Sequence, residues 1–256
     1  MIKHNIEWKY VRNDGFRLYP LVKAYEQYTN KKSDVIITIS MNDYKYVINH
    51  YRNQKVYYVP HQVNPRVFNP LGDAYPFGKD KFNVLFYGSL DRPMNINALI
   101  FIKHQLIPML KQRNLMGKLR INIFGSGTPP EELGIENDED INFLGLVDNP
   151  GYYIRGADVV IVPIKNNGGL KIRMLESLYC GKPVIATSEA VEGLSSELQK
   201  MVITRNNAAG FTDAIQEFVK SRTRRKTVKR NDQFWRYQMK GTSINYIIHN
   251  ASRKNT

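Results

Sequence analysis

Between residues 82 and 204 the chain alternates short unbroken apolar runs with longer amphipathic stretches. The runs cover 82–87, 120–124, 141–144, 158–163, 183–187 and 201–204, and each is bounded by Gly, Pro, Asn or Asp. A strand covered on one face alternates apolar with polar. Unbroken apolar runs fit strands covered on both faces, as in a parallel sheet. The stretches between them read as helices. Over 96–113 the residues Ile96, Leu99, Ile100, Ile102, Leu106, Met109 and Leu110 recur at mixed spacings of three and four. Segments 170–178 and 208–220 also read as helices. Such alternation predicts a doubly wound α/β domain over 79–220.

The flanks have a different pattern. Residues 1–50 hold helical periodicity at 19–28 and 42–50 and one strand-like run at 34–39, followed by another at 56–60. Prolines 60, 65, 70 and 76 then mark a linker. With so few strands, 1–78 is expected to be a partial α/β domain plus linker. Residues 221–256 are expected to be a basic segment leading to a helix at 232–248, anchored by Trp235.

Chemistry concentrates where predicted strands end. Glycine turns follow three of them, at Gly88-Ser89-Leu90-Asp91-Arg92, Gly125-Ser126-Gly127 and Gly145-Leu146-Val147. After the strand at 158–163 comes Asn166-Asn167-Gly168-Gly169-Leu170-Lys171-Ile172-Arg173-Met174-Leu175-Glu176. Its two glycines let backbone approach a ligand, and a helix starting near Leu170 points its N–H groups and positive dipole end at the same place. Lys171 and Arg173 in a first turn oppose that dipole unless an anion binds there. Glu176, three residues after Arg173 and on the same face, suits a ribose diol. The structural alternative is a surface helix with an Arg173–Glu176 pair worth about 0.3 kcal/mol. None of these turns matches the dinucleotide fingerprint or the P-loop.

Composition adds limits. No stretch reaches the roughly 18 apolar residues of a membrane-spanning helix, and the first residues lack the apolar core of a signal peptide. With one cysteine, Cys180, an internal disulfide is ruled out and a cytoplasmic setting is expected. The net charge of +14 is uneven: 221–256 holds ten Lys/Arg against one Asp, and 1–60 ten Lys/Arg against five Asp/Glu. Such basic ends suit phosphate-bearing partners, including an anionic membrane surface. Nucleic acid is not expected, because no recognised module or aromatic platform accompanies the charge. Asp138-Glu139-Asp140 sits in a polar loop and is read as solvated, with no metal role.

The segment 168–185, with 82–92, 124–127, 143–147, 158–163 and Val191-Glu192-Gly193-Leu194, resembles the donor site of family 4 retaining glycosyltransferases (glycosyl transferases group 1), which have the two-domain GT-B fold. Residues 1–78 resemble the second half of the family's acceptor domain. The resemblance implies a GT-B-like α/β fold with one complete Rossmann-like donor domain, plus a C-terminal helix packing back on the N-terminal part. It implies transfer of a sugar from a nucleoside-diphosphate sugar, on UDP or GDP, to a glycan, lipid-linked or polysaccharide acceptor, with retention and without a metal or resident cofactor. Glu176 would bind the ribose, and Lys171 and Arg173 the diphosphate. Gly88, Ser89, Arg92, Gly125, Gly168, Gly169 and Leu170 would line phosphates and sugar, Val147 would lie beside the base, and His4 would be the active-site histidine. Gly168 stands where many members carry a second glutamate, eight residues before Glu176. The strand before His4 and the first part of the acceptor domain have no counterpart, so the chain is expected to be a fragment, to rely on a protein partner supplying that half, or to be a reduced form. The alternative function is a non-catalytic or partner-dependent nucleotide-sugar-binding subunit.

Overall fold

The computed structural model describes residues 1–3, 6–13, 15–51, 55–78, 80–165 and 170–222. His4, Gly168, Gly169 and the expected helix at 232–248 with Trp235 lie outside the described residues.

Two parallel sheets carry the fold. The first has the order β1-β2-β3, formed by β1 (Ile2–Lys3), β2 (Val35–Thr38) and β3 (Lys55–Tyr58). Helices α1 (Glu7–Asn13), α2 (Tyr19–Lys32) and α3 (Met41–His50) connect these strands. Ser40 caps α3 by accepting from the Asp43 N–H. A small core of Ile6, Ile36, Val47 and Tyr51 lies beneath the helices.

The second sheet contains β4 (Phe82–Tyr87), β5 (Leu119–Phe124), β6 (Ile141–Phe143), β7 (Val159–Val162), β8 (Val184–Ala186) and β9 (Val202–Thr204). Its order is β6-β5-β4-β7-β8-β9, and every pairing is parallel. Every residue of β4 and β7 is buried, which is why the sequence shows unbroken apolar runs there. The polar exceptions, Asn83, Asn122 and Asn142, satisfy one another across three strands at 3.2 and 2.9 Å.

The helix expected at 96–113 runs from Pro93 as α4 (Pro93–Phe101), then a wide turn at Ile102–Leu106, then α5 (Ile107–Gln112). In the wide turn the Ile107 N–H reaches back five residues to the Ile102 carbonyl. Pro108 follows at once; it cannot donate to the carbonyl four residues back, so the ladder widens there instead of breaking. Lys103 and Lys111 on this helical stretch pair with Asp138 and Asp140 at 3.0 and 2.5 Å, so both outer carboxylates of that acidic run bridge helix and loop.

Five elements escaped the periodicity: β1, α1, α6 (Pro150–Gly156), α8 (Ser188–Val191) and α9 (Ser196–Gln199). Each is too short to display a period. Paired with β2, β1 also puts a strand directly ahead of His4, where none was expected. Between β7 and β8 lies α7 (Ile172–Tyr179), and α10 (Ala208–Arg222) closes the described chain. The proline-marked segment is not a loose tether. Arg155 of α6 donates to the carbonyls of Val67, Asn69 and Asp73, and Val63 and Phe68 enter the larger core. The two sheets meet where Asn42, at the start of α3, donates to the Glu192 carbonyl at 2.5 Å.

Candidate functional site

In a doubly wound sheet a crevice opens outside the carboxyl ends of the two strands at which the order reverses. Here those strands are β4 and β7. Gly88 follows β4, and the chain after β7 leads to Lys171 and Arg173. The turns beyond β4, β5 and β6 continue to bond to one another. Gly88 N–H reaches Phe124 O at 3.2 Å, Leu90 N–H reaches Ser126 O at 2.7 Å, and Gly125 N–H reaches Gly145 O at 2.9 Å. The result is a backbone ledge along the crevice, with Ser126 Oγ and Ser89 Oγ 3.3 Å apart on it.

Arg173 lies over this ledge. Its Nη2 donates to Asn95 Oδ1 at 2.9 Å, and Asn95 in turn donates to the Ser89 carbonyl at 2.6 Å. The guanidinium sits 5.5 Å from the Phe86 ring. Nη1 is shut off from solvent without a hydrogen-bond partner. Desolvation pushes the guanidinium pKa down; since arginine keeps its proton, this expresses a cost of holding the charge there. Gly88 makes the position accessible. Its φ is +154°, and a Cβ there would overlap Arg173 Nη2 and lie 2.8 Å from Cζ.

Glu176 is one turn further along α7 and accepts from the Tyr87 hydroxyl at 3.0 Å. That hydroxyl also lies 3.2 Å from Ser177 Oγ. Burial raises the Glu176 carboxyl pKa, and the Tyr87 hydrogen bond and the Arg173 charge pull it back. The site therefore holds a carboxylate and a guanidinium that do not neutralise each other in full. Replacing Tyr87 with Phe removes the group that holds Glu176. Nucleotide affinity should fall about three- to tenfold, the worth of one hydrogen bond. Its loss on acidification should begin at a higher pH than in the wild type, because the carboxyl loses a pKa-lowering partner. Titrations across pH check both.

Lys171 is the N-cap of α7, not a first-turn residue: the helix begins at Ile172, and no side chain caps it. Lys171 is buried, and its ammonium pKa is brought down to about 8. Desolvation is the largest cause and Arg173 adds to it, while Glu192 and Asp43 oppose it. Between about 8 and the ordinary 10.5 the unfolded chain holds this proton and the folded chain does not, so this group favours folding as pH rises through that window. Anion binding has the opposite sign, since it needs the charged form. Affinity for a diphosphate should fall as pH rises above about 8, and Lys171→Met should abolish that slope while raising stability; calorimetry and thermal unfolding at pH 7 and 9.5 read both.

The other sequence candidates fall around this centre. Ser89 and Arg92 lie on the turn after β4, with Arg92 exposed at the N-cap of α4. Leu170 packs against the core beside Lys171. Val147 is half-buried beyond β6, on the outer side of the ledge. Gly125 is buried beneath the Gly88 carbonyl, so it supports the ledge from below. Sequence reasoning missed Tyr87 and Asn95. The available signals were a tyrosine closing a buried strand, whose hydroxyl needs a partner, and an asparagine on the apolar face of α4. Among the described residues, no group of three His, Cys, Asp or Glu side chains could hold a metal ion.

Residues 81–221 match the family model described as Glycosyl transferases group 1. Over 158 residues the chain is 28% identical to an uncharacterized 44.6 kDa protein in the cps region of Klebsiella pneumoniae, covering 57% of this chain and 41% of that one. Among solved structures, HepE of Anabaena in complex with UDP superposes with a TM-score of 0.67 at 16% identity, covering 99% of this chain and 70% of that one. A glycosyltransferase from Rickettsia africae ESF-5 gives 0.65 at 16% identity, covering 91% and 65%. TarM gives 0.64 at 14% identity, covering 90% and 46%. These likenesses show the GT-B fold, with one complete Rossmann-like unit and one partial α/β unit. The chain spans less than half the length of the Klebsiella relative and of TarM.

Proposed function

The chain belongs to the glycosyl transferases group 1 family, and on that premise we propose that the crevice at β4 and β7 binds a nucleoside-diphosphate sugar for transfer to a glycan, lipid-linked or polysaccharide acceptor. The observation that carries this reading is Arg173, whose shielded and unpartnered Nη1 lies beside Gly88 at the switch point. The diphosphate lies against Arg173, Lys171 and the N-terminus of α7, and the ribose hydroxyls donate to Glu176. As the sugar–phosphate bond breaks, negative charge grows on the departing diphosphate. The two cations and the helix dipole stabilise that charge where it develops, without a metal. Transfer retains the anomeric configuration, and the base rests against Val147. HepE is in complex with UDP, which makes uridine the first base to test and guanosine the second. A reducing cytoplasm is the setting this reading takes, the lone Cys180 being a free, buried thiol.

A second reading is that of a partner-dependent donor-binding unit, supported by the small three-stranded sheet β1-β2-β3 beside the six-stranded one. A partner chain supplies the rest of the acceptor side, and this chain alone binds donor without turning it over.

Calorimetric titration with UDP, GDP and their sugar conjugates, with and without Mg²⁺, tests the donor site. One nucleotide should bind in the micromolar range without metal. Glu176→Ala should weaken it by about 1–3 kcal/mol, the worth of a charge-assisted hydrogen bond. No binding by any nucleotide contradicts the reading. Binding without transfer to any acceptor favours the partner-dependent form.

A further inference from the structure

Helix α2 is inside out. Its buried residues are Glu26 and Asn30, both polar. Leu18, Leu21, Tyr25 and Tyr28, by contrast, are between 57 and 70% exposed. Their spacing of three, four and three places them on one side of a helix of 3.6 residues per turn, opposite Asn30. Phe16, just before the helix, adds to the same end at 48% exposed. Isolated exposed apolar side chains are ordinary, but an ordered stripe of this length marks a surface that works against something else.

Charge indicates what that is. Lys32 falls on the axis of the stripe, and Arg17 and Lys31 flank it; all three are exposed. The one acidic residue between 17 and 32 is Glu26, which is buried and accepts from the Trp8 backbone N–H at 3.1 Å. The outward face is thus leucine and tyrosine with basic side chains and no acid. Protein interfaces are depleted in lysine. An anionic bilayer selects this composition, taking the apolar stripe at its interface and the cations among its headgroups.

We infer that the outward face of α2 is an interfacial membrane-binding helix that seats the protein on anionic lipid. It lies parallel to the surface, because no helix among the described residues is long and apolar enough to cross a membrane. The site at β4 and β7 is not needed for this contact, so the two are separable.

Co-flotation of the full chain with phosphatidylcholine vesicles, with and without 30% phosphatidylglycerol, at about 0.15 M salt tests the inference. The wild type should float with the anionic vesicles and not with the neutral ones. The variant Leu21→Ser/Tyr25→Ser/Tyr28→Ser keeps every charge, including the basic segment after Ser221. It should bind at least about tenfold more weakly, with unchanged nucleotide affinity. Arg17→Gln/Lys32→Gln should also lose about tenfold. Tyr25→Trp should bind like the wild type, with its fluorescence quenched by brominated acyl chains. Full binding by the triple-serine variant, absence of quenching, or a wild-type dimer that this variant dissociates would overturn the inference. The dimer would make the stripe a protein interface.

Discussion

Arg173→Ala should lower affinity for the nucleoside diphosphate by about 100-fold or more while leaving the fold nearly as stable as before. The two effects separate because the native arginine is in an unfavourable state without ligand. Burial desolvates its guanidinium, and Nη1 has no hydrogen-bond partner. Removing it gives up the Asn95 hydrogen bond but also removes a poorly solvated charge, so net stability should move by no more than about 1 kcal/mol. A bound diphosphate would supply the missing partner through two charge-assisted hydrogen bonds, together worth about 3 kcal/mol, or roughly 150-fold in affinity. Lysine at the same position should rescue little, because it cannot reach Asn95 and phosphate together with a planar fork. Thermal unfolding and titration on the same preparation decide. A large loss of stability with unchanged affinity makes Arg173 a structural group.

Gly125→Ala should have the largest effect on stability. A Cβ there would overlap the Gly88 carbonyl oxygen and lie 2.9 Å from its carbon and 3.0 Å from Leu90 Cγ. The obstacle is backbone, tied through Gly88 N–H to Phe124 O, and cannot swing aside as a side chain would. The expected cost is about 3 kcal/mol or more, a fall in Tm of about 6–12 °C for a chain of this size. Nucleotide binding should weaken as well, because the ledge that receives Arg173 moves. Gly117→Ala is the control: nothing lies within 4 Å of its Cβ position and its φ is not positive, so stability should be unchanged. A Tm for Gly125→Ala within about 2 °C of wild type contradicts the packing described.

How much of this was legible in the sequence depended on the range of the interaction concerned. The second sheet was readable because strands covered on both faces cannot hide their composition, and the glycine turns were readable because they interrupt it. The short helices α6, α8 and α9 were invisible to periodicity, although Asn149, Thr187 and Ser195 at their N-caps were signals. The start of α7 was placed too early at Leu170, since Lys171 caps it without a side-chain hydrogen bond. Glu176 and Arg173 were found because they share one helix. Tyr87 and Asn95, which hold them, are 89 and 78 residues away, and only the packing of β4 and α4 against α7 brings them close. The same limit hid the inverted burial of α2. The periodicity at 19–28 marks a helix, but only the packing shows that Glu26 and Asn30 occupy its inside.

The most direct test of the donor site is a crystal structure of the protein with UDP or GDP, whichever binds tighter. The diphosphate should lie within hydrogen-bonding distance of the Arg173 guanidinium, with the ribose on Glu176 and the base toward Val147. A nucleotide found elsewhere, with Arg173 Nη1 still unpartnered, would contradict the account.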